Sequence, residues 1–178
     1  DDHKAGIYMF GQNRYRGAYD HDGDGYSELG KLEGKTLGFR SFLKTSNYSK
    51  LTFEYHNISE FRRGGNLLDL PPHETDITEQ TDHQINGGGL KFDLFSRGYH
   101  HRLNVYTSAQ HTKRQSYYGA GKDPNAYGNT TDMTFIGGAQ YSYEWDKCLF
   151  MPATFTGGAE YSYDDLQDEM LGYHRTIA

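Results

Sequence analysis

The chain has 178 residues, of which 35% are hydrophobic and 15% aromatic, and a formal net charge of -6. That length suits one domain or one piece of a larger one, and the acidic balance with scattered basic residues argues against general affinity for nucleic acid, which needs concentrated Lys and Arg. No apolar run reaches the about 18 residues of a membrane-spanning helix, which leaves open a membrane β-barrel, whose strands need only alternate.

With 16 Tyr, 10 Phe and 22 Gly against 4 Pro, the composition is that of twisted, aromatic-rich sheet. Period-two alternation predicts an all-β, antiparallel up-and-down meander of about seven strands. The first runs near 6–19. The second, near 35–45, puts Leu37, Phe39 and Leu43 on one face and Arg40 and Lys44 on the other. The third, near 50–62, sets Leu51, Phe53 and Tyr55 against Thr52, Glu54 and His56. The fourth, near 85–95, sets Leu90, Phe92 and Leu94 against Lys91 and Asp93; the fifth, near 102–118, sets Leu103, Val105 and Ala109 against Asn104, Ser108 and Gln110.

The sixth and seventh strands, near 133–145 and 153–164, form a near-repeat: "TFIGGAQYSYE" from Thr134 and "TFTGGAEYSYD" from Thr154. In both copies one face reads Phe, Gly, Ala, Tyr, Tyr, so two strands are built to one specification with aromatics toward one end. Tyr141, Tyr143, Trp145, Tyr161 and Tyr163 are expected to anchor at a headgroup level, where Tyr and Trp are favoured.

Connections alternate in length. "SNYS", "SRGYH" and "WDKCLFMP" are short, whereas Asp20 to Gly34, Gly64 to Gln84, Gly119 to Asp132 and a tail from Asp165 are long and polar. Loops beyond about 12 to 15 residues are uncommon in small domains, but outer-membrane barrels have tight turns on the inward side and long loops on the outward side.

On "DHDGDGYSELGKLEGKTLGFRSFLK", "HRLNVYTSAQHTKRQSYYG" and "YEWDKCLFMPATFTGGAEYSYDDL", the chain resembles the barrel of TonB-dependent outer-membrane receptors of the Bacteroidetes type. The resemblance covers essentially all of 1–178. It implies a portion of a 22-stranded transmembrane β-barrel in the cell outer membrane, contacting outer-membrane lipid. The plug domain, the TonB-engaging segment and the C-terminal strands are not found in these residues, so the resemblance implies an internal fragment. The parent receptor would take up a scarce nutrient as a small-molecule metal chelate (cobalamin, ferric siderophore or haem), driven by TonB through the rest of the chain. The alternative from another class is a soluble calcium-dependent β-sandwich that binds or adheres through its acidic loop.

That loop, "YDHDGDGYSEL", begins like the calcium loop of an EF-hand: Asp20, Asp22 and Asp24 fit positions one, three and five, Gly25 position six and Glu28 position nine. Position twelve, a bidentate Glu in that motif, is Lys31, and strand pattern follows where a helix is needed. What remains is a carboxylate-rich tip whose oxygens suit Ca2+ and whose Asp-Gly steps are also ordinary turn chemistry. The resemblance adds that some cobalamin receptors order outward loops with calcium beside the substrate.

Other candidates are weaker. Cys148 is the single cysteine, which excludes a disulfide framework and a Cys-based zinc site. His100 and His101 are adjacent, so a strand turns them to opposite faces. His73 and His83 share a predicted loop with Glu74, Asp76 and Asp82 but lack metal-ligand spacing. Arg62, Arg63, Lys113, Arg114, Tyr117 and Tyr118 line the outer strand ends, as supports or as a mouth for an anionic chelate. No nucleophile elbow, phosphate loop or His-Glu-x-x-His is present, so no enzymatic activity is expected.

Overall fold

The computed structural model describes residues 3–170 and 173–177. They form one antiparallel sheet of eight strands in chain order: β1 (Ala5–Arg16), β2 (Lys31–Ser46), β3 (Ser49–Gly65), β4 (Ile77–Phe95), β5 (His101–Ala120), β6 (Tyr127–Cys148), β7 (Met151–Met170) and β8 (Tyr173–Ile177). A single 3-10 turn, Pro72–Glu74, interrupts the connection between β3 and β4. The sheet is not closed: β1 and β8 are its two edges. Among the described residues no second sheet packs on either face, so the two-layer sandwich alternative lacks its second layer.

β1 stops at Arg16, short of the expected end near 19, whereas β2 to β7 are longer than the alternation predicted and lengthen at the expense of the polar loops. Residues 77–84 continue β4, and 127–132 open β6. The tail from Asp165, expected as a loop, continues β7 to Met170 and then returns as β8, an eighth strand. Polar runs such as "ITEQTDHQ" read as loop because neither face is apolar. They are strand because each finds an unbroken ladder on a neighbour, Thr78 to Gln84 opposite Gly65 to Ser59. The first six connections alternate in length, 47–48, 96–100 and 149–150 at one end and 17–30, 66–76 and 121–126 at the other, but only two residues separate β7 from β8 at the long-connection end.

Register sorts the side chains into two unlike faces. On one lie Leu37, Phe39 and Leu43 of β2, Leu51, Phe53 and Tyr55 of β3, Leu90, Phe92 and Leu94 of β4, and Leu103 and Val105 of β5. From Leu43, Leu51, Leu94, Leu103, Trp145 and Ala153 up to Gly11, Leu37, Tyr55, Leu90, Ala109, Met133 and Tyr163, the described residues of this face include no Asp, Glu, Lys or Arg, and Lys147 lies beyond that band at the register shift of β6. Past that line it turns polar, with Lys35, Asp82, Lys113 and Asp165. The opposite face carries paired charges: Arg40 with Glu54 at 3.8 Å, Lys91 with Asp93 at 3.2 Å, and Arg102 with Glu144 at 2.7 Å.

The near-repeat acquires a meaning that its sequence alone does not show. β6 and β7 pair antiparallel about Ala139 opposite Ala159, so the aromatic ends of the two copies land at opposite ends of the sheet. Tyr141 and Tyr143 meet Gly157 and Phe155 near the tight turn, while Tyr161 and Tyr163 meet Gly137 and Phe135 toward the long loops. Trp145 stands edge-on to Tyr143 at 4.7 Å, and a separate ring cluster of Tyr48, Phe95 and Tyr99 lies at the same end, with Phe95 opposite Arg102 on the ion-paired face. Trp145 and Phe135 are separated by about 33 Å along the strand.

A single sheet leaves almost nothing buried. Tyr117 and Ala126 are the buried hydrophobic residues among those described, while Phe155 is 53% and Leu37 61% exposed. The accessible surface is 12147 Å², against roughly 8,800 Å² for a compact monomer of this mass. The fold is therefore held by its backbone ladder and by cross-strand contacts on each face rather than by a core.

Glycines seat several of those contacts. A Cβ at Gly38 would lie 2.3 Å from the Phe10 ring and 2.9 Å from the Tyr55 carbonyl oxygen, and one at Gly138 would lie 2.7 Å from the Tyr106 hydroxyl and 3.0 Å from the Ala159 oxygen. At Gly11 the closest atom would be 3.6 Å away. Gly38→Ala should therefore cost about 1–3 kcal/mol, whereas Gly11→Ala should stay within about 0.5 kcal/mol, as read from urea unfolding followed by Trp145 fluorescence.

Candidate functional site

The Asp20 loop leaves the end of β1 and is shut at its base by two backbone hydrogen bonds: Tyr19 N–H donates to the Leu29 oxygen (2.9 Å) and Leu29 N–H to the Tyr19 oxygen (3.2 Å). It is tied sideways to the outer end of β3, where Ser27 N–H donates to the Gly65 oxygen and Gly65 N–H to Ser27 Oγ, both at 3.0 Å. The tip is therefore a closed ring held to the sheet.

Within the ring the carboxylates turn inward on their own backbone. Asp20 accepts from Gly23 N–H through Oδ1 (2.7 Å) and from Gly25 N–H through Oδ2 (2.9 Å). Asp24 Oδ1 accepts from Tyr26 N–H at 2.8 Å, and Glu28 Oε2 reaches across to His21 N–H at 2.7 Å. Gly23 and Gly25 take φ of 78° and 87°, the left-handed region in which a side chain is disfavoured. These turns bring one oxygen each of Asp20, Asp22, Asp24 and Glu28 within 4.8 Å of one another. Among the described residues this is the one group of His, Cys, Asp and Glu so gathered.

Four exposed carboxylates so close repel one another, and no Lys or Arg pairs with them among the described ion pairs. The donor set is all hard oxygen on a glycine-jointed ring, which fits Ca2+ better than a softer ion.

The remaining candidates do not gather. His83 and Asp82 lie on β4 and face opposite sides, away from His73, whose ring hydrogen-bonds Tyr127 Oη at 2.8 Å. His101 pairs instead with Tyr141 Oη at 2.6 Å. The six outer residues split: Arg62, Arg114 and Tyr118 take the ion-paired face, Arg63, Lys113 and Tyr117 the other. Arg63 is buried and donates to the Leu67 and Leu70 carbonyls, and Tyr117, 1% exposed, donates to the Asp123 carbonyl at 2.9 Å. Both brace the loops that cross above them.

Sequence reasoning missed a lateral belt on the ion-paired face. Direct cross-strand partners run Arg14, Gly34, Glu60, His83, Arg114, Thr130, Asp168, Arg175 from β1 to β8. Arg14 reaches over Gly34 to Glu60 (2.9 Å), Arg62 takes the other Glu60 oxygen (2.8 Å), and Thr130 links Arg114 (2.9 Å) to Asp168 (2.5 Å). Only register could have revealed it, since its members are spread from position 14 to 175.

His83 sits mid-belt, in the outward extension of β4 beyond the uncharged band. Burial first, then the neighbouring Arg114 guanidinium, lowers its pKa from the usual 6.5. Its buried Nδ1 has no hydrogen-bond partner. No family model, curated protein or solved structure matches this chain.

Two outcomes test these assignments. Asp22→Asn with Asp24→Asn should abolish calcium-dependent protection of the 20–28 ring from limited proteolysis while leaving cleavage elsewhere unchanged. For His83 the unfolded chain binds more protons than the folded one just below pH 6.5, so stability falls as pH drops through that window. His83→Gln should flatten the dependence, read from urea midpoints at stepped pH.

Proposed function

We propose that the chain is a section of the wall of an outer-membrane β-barrel of the TonB-dependent receptor class, serving uptake of a scarce nutrient chelate such as cobalamin, a ferric siderophore or haem. The observation that carries the barrel reading is the uncharged, aromatic-bounded band on one face of a one-layer sheet whose other face is ion-paired. A bilayer on one side and a hydrated lumen on the other satisfy both faces. Water on both sides would leave a large contiguous apolar surface exposed.

The open edges at β1 and β8 fit a wall section, because a strand edge in hydrocarbon is tolerated only when the sheet closes. The receptor class rests on the sequence resemblance. In this reading the tight turns face inward, the long connections face outward, and calcium bound by Asp20, Asp22, Asp24 and Glu28 stiffens an outward loop at the substrate mouth. The chain contributes binding surface and a passage, without covalent chemistry. Coupling to TonB belongs to the rest of the parent protein.

Single cysteines placed in a Cys148→Ser background at successive positions from 154 to 163, labelled with an environment-sensitive dye and followed in lipid vesicles, test the membrane face. Positions 155, 157, 159, 161 and 163 should report hydrocarbon and be quenched by bilayer-resident quenchers, and the even positions should report water. Absence of this period-two pattern, or a monomer that folds without detergent and ignores vesicles, would overturn the barrel reading.

A further inference from the structure

On the ion-paired face, Arg14, Arg40, Arg62, Lys91, Arg102 and Arg114 each have a carboxylate within 3.8 Å. Arg16 on the same face donates instead to the Gly30 carbonyl, and one corner has no partner of either kind. Lys44 of β2 and Lys50 of β3 are direct cross-strand partners, a like-charge arrangement that destabilises a ladder. Lys4, whose carbonyl accepts the Lys44 N–H at 2.6 Å, precedes Gly6 and Tyr8 on the same face. All three are exposed, and no described carboxylate pairs with any of them. The register partner of Lys50 on β4 is Asp93, which is held by Lys91 at 3.2 Å and by Asn104 at 2.7 Å.

Beside this corner is an open recess of about 550 Å³ bordered by Lys4, Lys44, Thr45, Ser46 and Asn47. Ser49 Oγ lies 2.6 Å from Thr45 Oγ1 and 2.7 Å from Ser46 Oγ, which fixes the hairpin tip at the rim. We propose that a phosphate-class anion binds in this recess to Lys4 and Lys44, with Lys50, the cross-strand partner of Lys44, beside its rim. Three ammonium point charges on mobile stems match a compact anion carrying several oxygens, and the hydroxyl and amide groups of the hairpin tip supply further donors at the rim. The anion relieves the repulsion that the register imposes. The argument depends only on the ion-paired face and holds wherever the other face resides.

Free phosphate and a phospholipid headgroup offer the same chemistry, so the test has two arms on the folded chain in zwitterionic micelles or vesicles. Pyrophosphate, at ionic strength matched with sodium chloride, should raise the thermal midpoint by about 3 °C at saturation. Alternatively, phosphatidylglycerol replacing part of the phosphatidylcholine in vesicles should do so. In either arm Lys44→Gln with Lys50→Gln should weaken the response about tenfold at low salt. Lys44→Glu, which sets a carboxylate between Lys4 and Lys50, should raise the midpoint without any anion and abolish the response. A response to pyrophosphate assigns the site to a soluble anion, and one confined to phosphatidylglycerol assigns it to a headgroup. No response in either arm, or a response the lysine variants retain, overturns the proposal.

Discussion

Strand register is the constraint on which the rest of this structure depends. A one-layer sheet has no core to hold its elements in place, so the position of every side chain follows from which residue sits opposite which. A slip of one residue would carry Phe39, Phe53 and Leu90 to the ion-paired face and Arg40, Glu54 and Lys91 to the uncharged one. The ion pairs, the glycine seats for Phe10 and Tyr106, and the lateral belt through Glu60, His83 and Arg114 all act as locks on the same register. Each is weak alone, as exposed pairs are, and their agreement across the whole sheet is what specifies one pairing.

The sheet's existence, its antiparallel order and its apolar face were legible from alternation alone, because Leu, Phe and Tyr recur at period two in β2 to β7. The acidic ring was legible too, since three Asp at alternate positions and a following Gly are a local pattern. Less legible were the outward halves of the strands. Residues 77–84 carry no apolar face and 165–170 only Leu166 and Met170 broken by Asp168, and their strand state comes from lateral pairing with distant segments. The belt and the lysine corner were invisible for the same reason: their members are brought together by register, which a sequence pattern implies only where one face is apolar.

The two ends of the sheet are electrostatically unlike. Beyond the band on the long-connection side lie the Asp20 ring, Glu74, Asp76 and Asp123, while Lys4, Lys44, Lys50, Arg97 and Lys147 cluster at the tight-turn side. Such a gradient orients whatever approaches each end, cations at one and anions at the other, over a distance set by the ionic strength. Its acidic end is carried by the connections, whereas Lys44 and Lys50 at the basic end are themselves ladder partners.

The pairing of Ala139 with Ala159 has a further consequence. Because the two copies of the eleven-residue pattern cross head to tail about that pair, rotating the hairpin by half a turn in the plane of the sheet superimposes rings on rings and small residues on small residues. One recipe thus satisfies both levels of a layered surrounding regardless of chain direction. The hairpin therefore presents rings at both of its ends and small residues at its middle, whichever way each strand runs.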